Sequence, residues 1–277
     1  MFLQRMKKSI LLLSLIVLAA ACSPFQKVLK SDDIAIKYTT AEKLYEEAKA
    51  GEEKSERKFS KALRLFEQIV PEYRGKPQAQ KLMYMYADTY YELEEYYLAG
   101  YQFERFVESY PTSEKLEEAA FKSARSYYEL SPRYDLDQSE TIQAIEKLQS
   151  FINRFPESER LEEANVLATE LRVKLEKKAY EIAKQYHHTM NYKAAITAFD
   201  NFLLDYPGSP FREKAFYYKL DSAYQYAINS YAYAMEERLE AAQDYFKDYK
   251  RYYPEGEFIE PATQASLDIE KRQQIFN

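Results

Sequence analysis

Tryptophan is absent from the 277-residue chain, and there are one cysteine, two histidines, five glycines and ten prolines. A single cysteine, Cys22, allows no intrachain disulfide and no thiolate metal cluster. So few glycines and prolines exclude an all-β protein, which needs a turn about every 8–12 residues. The two histidines, His187 and His188, are adjacent. On a helix their side chains point about 100° apart and cannot chelate one metal together; they are expected as solvated helix-end residues. Phosphate-binding glycine loops, dinucleotide fingerprints, zinc-protease pairs and nucleophile elbows are all missing. The acidic pairs Glu117–Glu118 and Glu162–Glu163 follow aromatic-proline stops, where they suit a helix amino terminus better than catalysis. No enzyme activity, cofactor or metal is expected. An excess of positive charge is missing too. The formal charge is −6, and without residues 1–21 it becomes −9. That balance argues against nucleic acid as a partner and does not suggest a polybasic membrane surface.

Hydrophobic residues supply 46% of the chain, charged residues 30%, and there are 28 tyrosines. This composition supports a sizeable core and long helices. The amino terminus is different. Arg5, Lys7 and Lys8 precede an apolar run, Ile10–Leu18, and then the small residues Ala19, Ala20 and Ala21 before Cys22. This is the layout of a secretory signal. The apolar run is too short for a bilayer span, which needs about 20 residues. An ordinary signal with a chance cysteine is one reading. The sole cysteine falling at the cleavage position favours a lipidation site.

One pattern recurs five times: alanine, then large apolar or aromatic residues at offsets of four, three and four, usually closed by proline. The copies are Ala62-Phe66-Ile69-Tyr73, Ala99-Phe103-Phe106-Tyr110-Pro111, Ala144-Leu148-Phe151-Phe155-Pro156, Ala195-Phe199-Phe202-Tyr206-Pro207 and Ala242-Phe246-Tyr249-Tyr253-Pro254. The first copy departs at Arg74, where the others carry proline. These offsets place the side chains on one helical face, and proline then stops the helix. Thr112 or Ser113, Ser158 and Ser209 are placed to cap the next helix. Each such helix is preceded by one carrying a small residue, with a tyrosine three later in four of the five: Ala48 alone, then Ala87 and Tyr90, Ala124 and Tyr127, Ala183 and Tyr186, Ala223 and Tyr226. Residues 159–185 contain no glycine or proline and read as one long helix.

Helix, turn and helix with small residues at these places resembles the tetratricopeptide repeat. The expected fold is all-α, a tetratricopeptide superhelix of about five repeats and ten helices. The expected divisions are a signal at 1–21, lipidated cysteine and linker at 22–35, repeats one to three at 36–156, and a long connecting helix with repeats four and five at 157–277. The resemblance implies that a groove is lined by positions flanking the first small residue of each repeat. The candidates are Tyr45, Tyr84, Asp88, Tyr91, Phe121, Arg125 and Tyr128, an aromatic strip suited to an extended peptide. The competing reading is that many of these rings simply pack between repeats.

L-A-A-A-C at Leu18–Cys22 resembles a bacterial lipobox, although that pattern prefers a larger aliphatic at the position of Ala19. Ser23 is not the aspartate that implies inner-membrane retention, and residues 23–27 are not acidic. A palmitate-bearing anchor in the outer membrane, facing the periplasm, is implied. C-S-P-F-Q-K-V-L-K at Cys22–Lys30, P-E-Y-R-G at Pro71–Gly75 and S-P-R-Y-x-L-D-Q at Ser131–Gln138 resemble the BamD family of the outer-membrane β-barrel assembly machine, most of all its Bacteroidetes members. That resemblance implies a scaffold. Its first repeats would receive the carboxy-terminal β-signal of unfolded outer-membrane proteins. Repeats four and five would dock on a BamA-like barrel protein through its POTRA domains, with Tyr180, Lys184, Tyr217 and Tyr224 as candidates. A tetratricopeptide lipoprotein serving cell-wall or division coordination, or secretin piloting, is the alternative.

Overall fold

The computed structural model describes residues 24–51 and 53–276; Cys22 and the signal lie outside them. Among the described residues there are twelve α-helices and no strand. They are α1 (Pro24–Leu29), α2 (Ile34–Lys49), α3 (Ser55–Ile69), α4 (Ala79–Glu92), α5 (Tyr96–Ser109), α6 (Leu116–Leu130), α7 (Ser139–Arg154), α8 (Leu161–His188), α9 (Tyr192–Asp205), α10 (Arg212–Ile228), α11 (Ala232–Tyr252) and α12 (Ile259–Gln273). Helices α2 to α11 are the ten expected repeat helices, arranged as tetratricopeptide-like pairs. Of these, α8 is a single helix of 28 residues.

The other two helices were not foreseen. Within the stretch expected as linker, α1 places Phe25, Val28 and Leu29 against the core of the first repeat. At the other end, α12 buries Ala262 and Ile269 and covers the last pair, as a terminal repeat requires. Pro261 is tolerated there because it lies in the first turn, where its missing N–H would have no partner anyway.

The repeated pattern fills the cores. Ala62, Phe66, Ile69, Ala99, Phe103, Phe106, Ala195 and Phe199 are all completely buried. The preceding small residues Ala87 and Ala183 are buried as well, which lets paired helices approach closely. Tyr186, three residues after Ala183, is exposed.

Proline sets the helix ends. Tyr110, Tyr206 and Tyr253 have φ near −130° and ψ near +63°, outside the α region, as a following proline demands. Their N–H groups still donate to the fourth carbonyl back, at 2.8–2.9 Å. Without a proline at Arg74, the first copy ends through a 3₁₀ turn at Pro71–Tyr73 and a left-handed Gly75 at φ +80°. Ser113, Ser158 and Ser209 accept from the N–H two residues on, and the helices start shortly after. In the second and fourth copies, whose small residues are twelve apart, the interhelix turn is the same. Glu94 and Met190 adopt φ of +60° and +61°. Glu95 N–H then donates to the Tyr90 carbonyl, and Asn191 N–H to that of Tyr186, closing the preceding helix.

Contacts divide the chain into two compact units. One takes in the chain up to Leu130 with Glu146–Ala164, and the other Ser131–Ile145 with Asn165 onward. In the second unit the Ser131–Gln138 insertion is tied down from within. The Gln138 amide donates to the carbonyls of Arg133 and Leu136 at 2.9 and 3.0 Å, and Lys174 Nζ donates to Ser131 Oγ at 2.7 Å. Among the described residues no helix is long and apolar enough to cross a membrane.

Candidate functional site

In the first unit, α2, α4 and α6 bring the expected groove residues together. Asp88, on α4, is fully buried. The Tyr45 hydroxyl donates to its Oδ2 at 2.6 Å. Lys49 Nζ lies 3.2 Å from the same oxygen, and the Lys122 ammonium bonds the other. Three repeats therefore converge on one carboxylate, which is how a buried charge is tolerated. Burial, with the Asp88 charge, pushes the Tyr45 hydroxyl far above the ordinary tyrosine range.

Tyr84 packs edge-on against Phe103 and Phe106 at 6.0 and 5.6 Å. Tyr91 sits half-buried against Tyr96 and Phe103, with Lys122 Nζ over its ring. Phe121 is buried against Phe151. Arg125 pairs with Glu163 at 2.5 Å, and Tyr128 is half-buried. Most of this strip is thus shared with the repeat interfaces.

What remains open is a cleft of about 620 Å³. Tyr45, Tyr84, Met85 and Phe106 line it, with Gln80, Glu46, Lys49, Lys81 and Lys115 around them. Lys115 lies over the Tyr84 ring, 5.3 Å from its centre, and bonds Glu118 at 2.8 Å. Burial alone would raise the Glu118 carboxyl. Hydrogen bonds from Lys115 and Tyr84, with the charges of Lys122 and Lys115, outweigh it and hold the group at about 2. Lys81 pairs with Glu42 at 2.6 Å. The cleft can take an apolar or aromatic group on its floor and an anionic end at its rim. Lys81, Met85, Phe106 and Lys115 were not among the groove residues expected from the sequence. Gln80 and Lys81 precede Tyr84 by four and three residues and were within reach of helical spacing; Lys115 arrives from the following repeat and carries no local signal.

In the second unit Tyr180 is buried. It stacks on Phe211 at 5.3 Å and lies beside Tyr218 under the Lys184 ammonium. Tyr217 stacks on Phe258 at 4.5 Å. Tyr224 donates to Asp268 Oδ2 at 2.8 Å. Tyr217 and Tyr224 share a hollow of about 240 Å³ with Leu220, Asp221 and Pro261. His187 is not solvated as expected: its Nδ1 lies 3.0 Å from Ser222 Oγ and its Nε2 3.3 Å from Asp221 Oδ2. Burial pulls it below the ordinary histidine range against the pull of Asp221, with His188 and Lys184 adding to the depression.

The sequence model of one protein family, YfiO, described as outer membrane lipoprotein, matches residues 37–237. The chain belongs to this family. The match runs from α2 into the start of α11, across the first four repeats and the first helix of the fifth. YfiO membership supports a BamD-like role in outer-membrane assembly and association with the outer membrane. No curated protein matches the chain.

Proposed function

We propose that this YfiO chain is a scaffold of β-barrel assembly with no chemistry of its own. It is acylated at Cys22 and held on the periplasmic face of the outer membrane. The cleft at Tyr45 and Tyr84 receives the carboxy-terminal signal of an unfolded outer-membrane protein. Repeats four and five dock on a BamA-like barrel subunit through its POTRA domains. Kinship with Bacteroidetes members belongs to the same proposal and rests on the stretches Cys22–Lys30, Pro71–Gly75 and Ser131–Gln138.

The observation that carries this reading is the cleft itself. Its volume, about 620 Å³, lies in the range of ligand pockets, roughly 300–1,000 Å³. An aromatic floor gives contact area at little entropic cost, and a lysine rim attracts a terminal carboxylate. The hollow at Tyr217 and Tyr224 supports the second unit as the docking side.

Photo-crosslinking in native envelopes tests it, with probes at Gln80, which is exposed at the cleft, and at Tyr224. Gln80 is expected to capture immature barrel proteins and Tyr224 a large barrel protein with soluble periplasmic domains. Recovery of peptidoglycan enzymes alone would overturn the proposal. Mass spectrometry of the Cys22 peptide checks acylation separately.

A further inference from the structure

Unpaired positive charge gathers on one face of the first repeat. Arg57, Lys61 and Arg64 follow one another at intervals of four and three, so they form a stripe along α3, with Lys54 just before the helix at its N-cap. Lys54, Arg57 and Arg64 are exposed and Lys61 half-buried. None of the four makes an ion pair among the described residues. The carboxylates of α3, Glu56 and Glu67, fall on the neighbouring face, where Glu67 accepts from the Tyr90 hydroxyl. In a chain with a formal charge of −6, such a stripe stands out.

The stripe adjoins the start of the mature chain. Phe25 of α1 lies under Lys61 Nζ and the Arg64 guanidinium, 5.4 and 5.9 Å from its ring centre. Phe25, Val28 and Leu29 pack on the repeat, which leaves Lys27 exposed on the same helix and Lys30 exposed just after it. Cys22 is three residues from Phe25, so at most about 10 Å of chain separates them. An acyl group on Cys22 would bring the α1–α3 face to the headgroup layer.

We propose that this basic face docks on an anionic lipid surface and so orients the first repeat at the membrane that holds its anchor. The inference rests on acylation at Cys22 under the proposed function, but its charge component can be measured without the acyl chain. A flexible tether alone would leave the repeats free to tumble. A second, electrostatic attachment beside it restricts that freedom, as two weak membrane signals do when combined.

The test is vesicle flotation of the mature chain carrying Cys22→Ser, which removes the acyl chain. Vesicles of phosphatidylcholine alone are compared with vesicles containing one third phosphatidylglycerol. Binding is expected only to the anionic vesicles and should fade as salt shortens the screening length. Each basic residue near such a surface contributes about fivefold in affinity. Arg57→Gln, Lys61→Gln and Arg64→Gln together should therefore weaken binding about a hundredfold with helicity unchanged. The control removes equal charge elsewhere, with Lys247→Gln, Lys250→Gln and Arg251→Gln on the exposed face of α11, and should bind as the parent does. If the α3 triple variant fails to fold, Lys27→Gln with Lys30→Gln gives the same reading at smaller amplitude. Equal binding to neutral vesicles, equal loss in the control, no binding to anionic vesicles, or equally tight binding to polyglutamate would overturn the proposal. Peptide binding by the same variants should stay intact, so failure here is separable from failure of the cleft.

Discussion

Replacing Asp88 by asparagine tests whether the three first-unit repeats are locked together by one buried charge. The substitution keeps the shape and an acceptor for the Tyr45 hydroxyl. It removes the charge facing Lys122, whose side chain is only 13% exposed. Stripping the partner from a buried ion pair costs about 3–5 kcal/mol. Here the loss is softened, because Lys122 keeps Glu118 at 3.5 Å and Lys49 keeps Glu92 at 2.8 Å. About 2–3 kcal/mol is expected for Asp88→Asn. Tyr45→Phe loses one hydrogen bond to a carboxylate that two lysines still satisfy, at about 1–2 kcal/mol. Urea unfolding at neutral pH, followed by far-ultraviolet circular dichroism, measures both, and the double variant gives their coupling. The coupling should be at least about 0.5 kcal/mol. A loss below about 1 kcal/mol for Asp88→Asn, or a larger loss for Tyr45→Phe, would refute the locking role.

Three further changes probe separate parts of the fold. Glu118 is held at about 2 in the folded chain, so the stability it supplies is present above its ordinary value near 4.5 and drains away as pH falls through about 2. Its side chain is 27% exposed; allowing for screening, Glu118→Gln should remove about 1–2 kcal/mol of that acid dependence, and identical acid profiles would disprove it. In the second unit, a Cβ at Gly256 would press on the Glu213 carboxylate and lie 2.7 Å from the Tyr249 hydroxyl. Gly256→Ala should cost about 1–3 kcal/mol in thermal unfolding, by breaking the Tyr249–Glu213 bond of 2.8 Å; an unchanged melting temperature would count against that packing. Met190 is exposed and left-handed, so Met190→Gly should gain about 0.5–1 kcal/mol in the same assay, and a loss would show the turn is misread.

The fold was legible because the repeat writes its core into spacing. Alanine, aromatic and proline positions such as Ala99, Phe103 and Pro111 fix a buried face and a stop with no tertiary information. Helix α1 was not legible. Six residues cannot hold a helix alone, and its apolar side of Phe25, Val28 and Leu29 gains meaning only against the first repeat. The site was half legible. The tetratricopeptide resemblance pointed to Tyr45, Tyr84 and Asp88, but not to the packing of the Tyr84 ring on Phe103 and Phe106. Nor could it find Lys122, which reaches Asp88 from 34 residues away. The α3 stripe was hidden by averaging, because net charge says nothing about which face carries it.

Under the proposed function, the first-unit cleft takes an extended segment ending in an aromatic residue and a free carboxylate. Calorimetric titration with such a peptide, against the same peptide amidated, tests it most directly in the parent chain and in Lys81→Glu with Lys115→Glu. Both lysines stand at the rim and are more than half exposed, so the helices should survive the change. The free carboxylate is expected to bind the parent about tenfold tighter than the amide, with that preference lost in the variant. Equal affinity for both peptides in both proteins would contradict it.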